Sequence, residues 1–74
     1  MTSDRDFLDH LAYAITTYGQ EVSHSASEGT RYRLRGGFVD IIEHLNRVGF
    51  GDRNLVDIIN GLRELEKRGI YVTT

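Results

Sequence analysis

The chain has 74 residues and a formal net charge of −2, with 39% hydrophobic and 27% charged residues and neither cysteine nor proline. That length fits a single domain over 1–74, one so small that it buries only about 60% of its unfolded surface and gains from a partner. Disulfides and thiolate metal sites are excluded, no apolar run is long enough for a membrane span, and the polar stretch Met1–Asp9 does not fit a secretory signal. A cysteine-free chain suits the reducing cytoplasm, which is the expected compartment. The charge is uneven. Residues 1–30 hold five acidic residues against one arginine, giving −4, and residues 31–74 hold eight basic against six acidic residues, giving +2.

Taken in chain order, the first helix is expected over Asp4–Tyr18, with Ser3 as its N-cap. Phe7, Leu8, Leu11, Ile15, Tyr18 and Val22 follow the three-and-four spacing of a buried stripe. Residues 20–30 (QEVSHSASEGT) are polar and Ser-rich, and are expected to be a mobile surface loop. Arg31–Arg35 alternates strictly, with Tyr32 and Leu34 on one side and three arginines on the other, the pattern of a short half-buried strand. The second helix is expected from Phe38 to Val48, with a face of Phe38, Ile41, Ile42, Leu45 and Val48. Gly49 suits its C-terminal cap, and Phe50 should tuck between the helices. Asp52 is the expected N-cap of a third helix, Arg53–Arg68, whose stripe is Leu55, Ile58, Ile59, Leu62 and Leu65. Gly69 closes that helix, and Ile70–Thr73 is β-branched and aromatic, hence a strand. The second and third helices carry the same five-point spacing, offset by 17 residues, and are expected to pack on each other. The expected class is therefore α+β, mainly α: three helices and two short strands in the order helix–strand–helix–helix–strand.

Residues 31–73 resemble the winged helix-turn-helix family. The likeness is strongest over Asn54–Thr73 (NLVDIINGLRELEKRGIYVT), where Leu62, Leu65, Gly69 and Ile70 match the Leu-x-x-Leu-x-x-x-Gly-apolar end of a recognition helix entering a strand. The resemblance implies a helix-turn-helix-like unit and a role in DNA binding. The sequence departs from the family after Thr73, where the wing hairpin is expected to be lacking. That leaves Ile70–Thr73 to pair with Arg31–Arg35 as a two-stranded ribbon with open edges.

Arg31, Arg33 and Arg35 are candidate phosphate or carboxylate contacts, with Arg47 and Arg53 beside them. On the third helix, Asn54 and Asn60 join Arg53 as residue types that read base edges, although Asp57 and Glu64 on the same face repel phosphates. Tyr13 lies off the first helix's stripe and is a candidate interface anchor. Asp6/His10 and Asp40/His44 each stand four apart without an evident third metal ligand. No nucleophile or phosphate-loop motif appears, so the expectation is a non-enzymatic protein without cofactor, metal, membrane or small-molecule substrate. Two readings follow. One is a small regulatory or adaptor protein docking on a larger protein, for example a phage- or host-encoded inhibitor. The other is a homodimeric DNA-binding regulator using the third helix and the arginine strand on duplex DNA.

Overall fold

Leu11 and Ile15 are both fully buried, and both lie on the first helix, which becomes the centre of the fold. The structure, a computed structural model, describes residues 4–73. Helix α1 spans Asp4–Tyr18, with Phe7, Leu11, Ala14 and Ile15 on its buried side. Asp4 and Asp6 lie in its first turn, where carboxylates complement the positive end of the helix dipole. The N-cap expected at Ser3 lies outside the described residues.

The next segment corrects the sequence reading. The polar stretch expected as a mobile loop forms most of a hairpin of strand β1 (Gly19–Ser25) and strand β2 (Gly29–Leu34). The two are antiparallel, from Gly19 opposite Leu34 to Ser25 opposite Gly29. Gln20 to His24 are all exposed, so β1 is held by its backbone ladder rather than by burial. A strand with no buried face leaves no period-two pattern in its sequence. Val22 falls where the register shifts between Glu21 and Ser23, the extra residue of a bulge.

Helices α2 (Val39–Arg47) and α3 (Leu55–Lys67) and strand β3 (Ile70–Thr73) complete the chain. Gly49, with φ +99°, follows α2 as expected. Phe50 is buried and meets the Phe7 ring edge-on, centroids 5.5 Å apart. Asn54, rather than Asp52, caps α3. Its side chain accepts from the Asp57 N–H at 2.9 Å while the Asp57 carboxylate accepts from the Asn54 N–H at 3.3 Å. This reciprocal box satisfies two otherwise unpaired donors and fixes the helix start two residues later than expected.

β3 runs parallel to β2, from Thr30 opposite Ile70 to Arg33 opposite Thr73. The pairing of the last strand with the arginine strand is as expected, but the sheet has three strands in the order β1-β2-β3. Its start depends on two glycines. The Thr30 N–H donates to the Gly69 carbonyl at 2.8 Å, and a Cβ on Gly29, at φ +115°, would overlap the Gly69 backbone. Tyr32 is in register with Val72, and Tyr71 with Arg31. The pleat therefore puts the two tyrosines on opposite faces, and they do not stack across the strands.

The main departure is in helix packing. α2 and α3 both pack on α1 but meet each other only marginally, against the expectation that they form a mutual pair. Gly61 gives the reason. It is buried in mid-helix, and a Cβ there would stand 2.6 Å from Leu11 Cδ2 and 3.2 Å from the Phe7 ring. The missing side chain lets the α3 backbone lie directly on α1. Ile58, Gly61 and Leu65 then face inward, while α2 turns Ile41, His44 and Leu45 inward. Ile42, Leu55 and Ile59, expected in the core, are exposed. Tyr32, Leu34, Ile70 and Val72 line the inner face of the sheet against the same core.

At an exposed helical site, Gly→Ala stabilises by about 1 kcal/mol. Here the added methyl meets fully buried Leu11, and overpacking of this kind costs about 1–3 kcal/mol. Gly61→Ala is expected to lower stability by about 1–2 kcal/mol, read from urea unfolding. A stabilised variant would contradict the close α1–α3 approach.

Candidate interaction surface

The rotation of α2 and α3 onto α1 leaves five large apolar side chains in water. Val39 is 58% exposed and Ile42 42% on α2, and Leu55 is 58%, Val56 61% and Ile59 41% exposed on α3. On α2, Val39 and Ile42 are one turn apart. On α3, Leu55 and Ile59 are one turn apart, with Val56 beside them. Ile42 and Leu55 line the two walls of a groove with Leu45 and Ile58 beneath. Single exposed apolar residues are normal on a protein surface. Ile42 and Leu55 share the groove, and Val39, Val56 and Ile59 extend the exposed apolar surface along the same two helices, a concentration of the kind that marks an interaction site.

The eight residues singled out from the sequence are not gathered into one site. Arg31 and Arg33 are exposed on the outer face of the sheet, in register with Tyr71 and Thr73 on β3 and with Ser23 and Gln20 on β1. The Arg31 guanidinium lies 5.0 Å over the Tyr71 ring, and Arg35 is exposed just beyond β2. Arg47 closes the seam between α1 and α2, donating to the Tyr18 hydroxyl at 2.8 Å. Arg53 is a structural residue. It is half-buried, pairs with Asp4 at 3.2 Å and lies over the rings of Phe7 and Phe50, at 4.7 and 5.8 Å. Asn54 is spent on the α3 cap. Asn60 is exposed beside a shallow pocket at the α1–α3 seam. Tyr13 is exposed, with its ring centroid 5.1 Å from that of His44.

His44 is the polar residue of the core, 7% exposed. Its ring meets His10 at 5.6 Å and Tyr18 at 6.1 Å between centroids, and its Nε2 finds no hydrogen-bond partner among the described residues. The two histidines thus face each other across the α1–α2 seam. Burial holds the His44 imidazole below its ordinary pKa of 6.5, and the neighbouring His10 and Arg47 push it the same way. Among the described residues, no three His, Asp or Glu side chains converge as metal ligands, and no helix is long and apolar enough to cross a membrane.

The apolar face was missed from the sequence because Ile42, Leu55 and Ile59 belong to stripes that predict burial. Val39 and Val56 carried the available signal. They sit one residue off each stripe, at the same 17-residue offset, and widen both apolar faces beyond what one neighbour can cover. Comparison with protein-family models, with curated proteins and with solved structures finds no match.

The lowered His44 pKa has a definite sign. The unfolded chain takes up a proton near pH 6.5, while the folded chain resists it to lower pH, so stability falls as pH drops below that value. Urea unfolding should show this loss in the native chain between neutral and mildly acidic pH. His44→Leu is expected to flatten the slope. A slope that is unchanged in the variant would mean that His44 is not the titrating group.

Proposed function

We propose that the protein is a small non-enzymatic regulatory or adaptor protein that acts by protein–protein docking, on a larger protein or on a second copy. In this reading it is a cytoplasmic protein and its scaffold is a degenerate winged helix, used for protein contact. The observation that carries the proposal is the exposed apolar face of Val39, Ile42, Leu55, Val56 and Ile59. Uncovered, this surface weakens an already small domain's solubility. Covered by a partner, it supplies the apolar centre that a protein interface needs.

The alternative, a dimeric DNA-binding regulator using α3 and the arginine strand, draws less support. The residues that α3 shows to solvent in its first two turns are largely apolar, and apolar side chains gain nothing from phosphates. Asn54 is engaged in capping, and Arg53 is tied to Asp4 and two rings. What speaks for DNA is the outer sheet face, where Arg31 and Arg33 stand without an acidic residue in register.

Anisotropy titration of mixed-sequence duplex DNA across a salt series separates the two readings. Docking predicts no binding even at low salt. Tight binding that collapses with salt, and that weakens in Arg31→Ala and Arg33→Ala, would overturn it. Arg53→Ala is unsuitable for this test, because it would disturb the Phe7–Phe50 packing.

A further inference from the structure

We infer that the partner covering the α2–α3 face is a second copy of this chain, held in a twofold dimer. This rests on the docking reading, since it names the occupant of the same surface. Three features of the face fit a copy of itself.

The first is its near-equivalence from either side. Val39 and Val56 are 17 residues apart, as are Ile42 and Ile59, so α2 and α3 offer matching pairs of exposed apolar side chains. In an isologous interface the same patch must complement itself. A twofold axis along the groove sets α2 of one protomer over α3 of the other, exposed apolar row on exposed apolar row.

The second is the charge at the rim. Glu43 follows Val39 by four residues and Arg63 follows Ile59 by four, so each continues the exposed row of its own helix. Both are exposed, and among the described residues neither side chain has an ion pair or hydrogen bond within the chain. Such a dimer gathers two Glu43 carboxylates and two Arg63 guanidinium groups at one rim, where each acid can answer a base of the other copy. A partner with a rim of single sign would satisfy one of these residues and repel the other. A second copy supplies both signs.

The third is size. A stable interface takes about 800 Å² from each partner, about a sixth of this chain's 4960 Å². Five exposed apolar residues with a charged and polar surround suit the centre of such a contact. A chain this short also stands to gain most from the added burial. The net charge of −2 leaves little self-repulsion to overcome.

Sedimentation equilibrium of the full chain over a concentration series tests the dimer. A reversible monomer–dimer equilibrium is expected. Ile59→Asp, at an exposed position, should abolish the dimer while circular dichroism shows the fold intact. Glu43→Arg and Arg63→Glu should each weaken dimerisation by about tenfold, since each change is felt twice, and the two combined should restore most of the loss. A chain that stays monomeric throughout overturns the proposal, as does a dimer indifferent to these substitutions. Either result, with the DNA titration still negative, would leave docking on a different protein standing. DNA binding of the kind described above would remove the docking reading itself.

Discussion

The contact between Gly61 and Leu11 sets the arrangement of the whole molecule. A side chain at position 61 would collide with Leu11 and Phe7, so α3 can lie on α1 only because glycine is there. Glycine in mid-helix costs about 1 kcal/mol relative to alanine, and that penalty is offset by the dense packing it permits. With α2 and α3 both seated on the buried side of α1, α1 becomes the shared wall of the core. Leu65 and Ile58 reach it from α3, Ile41 and Leu45 from α2, and Phe50 from the connection between them. Arg53 and Arg68 then meet Asp4 and Asp9 across the α1–α3 seam, so the acid of the first helix is partly answered by the basic second half of the chain.

That arrangement has a consequence at the surface. Two amphipathic helices that might have covered each other's apolar flanks are both committed to α1, and their outer flanks remain in water. The sheet does not help, because its inner face already packs on the same core and its outer face is polar. The functional proposal therefore follows from packing geometry. An apolar face left by the fold needs cover, and its matching valine and isoleucine pairs indicate the kind of cover that fits.

Much of the fold was legible in the sequence, for physical reasons that vary by element. α1 has its expected bounds because its stripe is strongly periodic and its far end meets Gly19. Gly49, Gly69 and Phe50 act as expected because a left-handed cap and a buried aromatic leave local signatures. β1 was illegible, since a strand with both faces in water carries no alternation. The start of α3 was misplaced because Asp52 and Asn54 are both good caps, and the reciprocal partner at Asp57 decides between them. The rotation of α2 and α3 could not be read from their stripes, which fix that a helix has an apolar side but not which neighbour it meets. Gly61 hinted at a close backbone approach without naming the neighbour. Among the candidate site residues, Arg31, Arg33 and Arg35 are as exposed as their alternation implied. Arg53 and Asn54, chosen for their chemistry, turned out to hold the fold together.

The claim on which the rest depends is that α2 and α3 both pack on α1 and not on each other. Isotope-filtered nuclear Overhauser spectra, restricted to contacts within one chain, test it most directly. The account predicts cross-peaks from the Gly61 α-protons to the Leu11 methyls and the Phe7 ring, and none between the side chains of Ile42 and Ile59. Strong Ile42–Ile59 cross-peaks within a chain, with Gly61 far from Leu11, would mean that α2 and α3 pack on each other and that the apolar face does not exist.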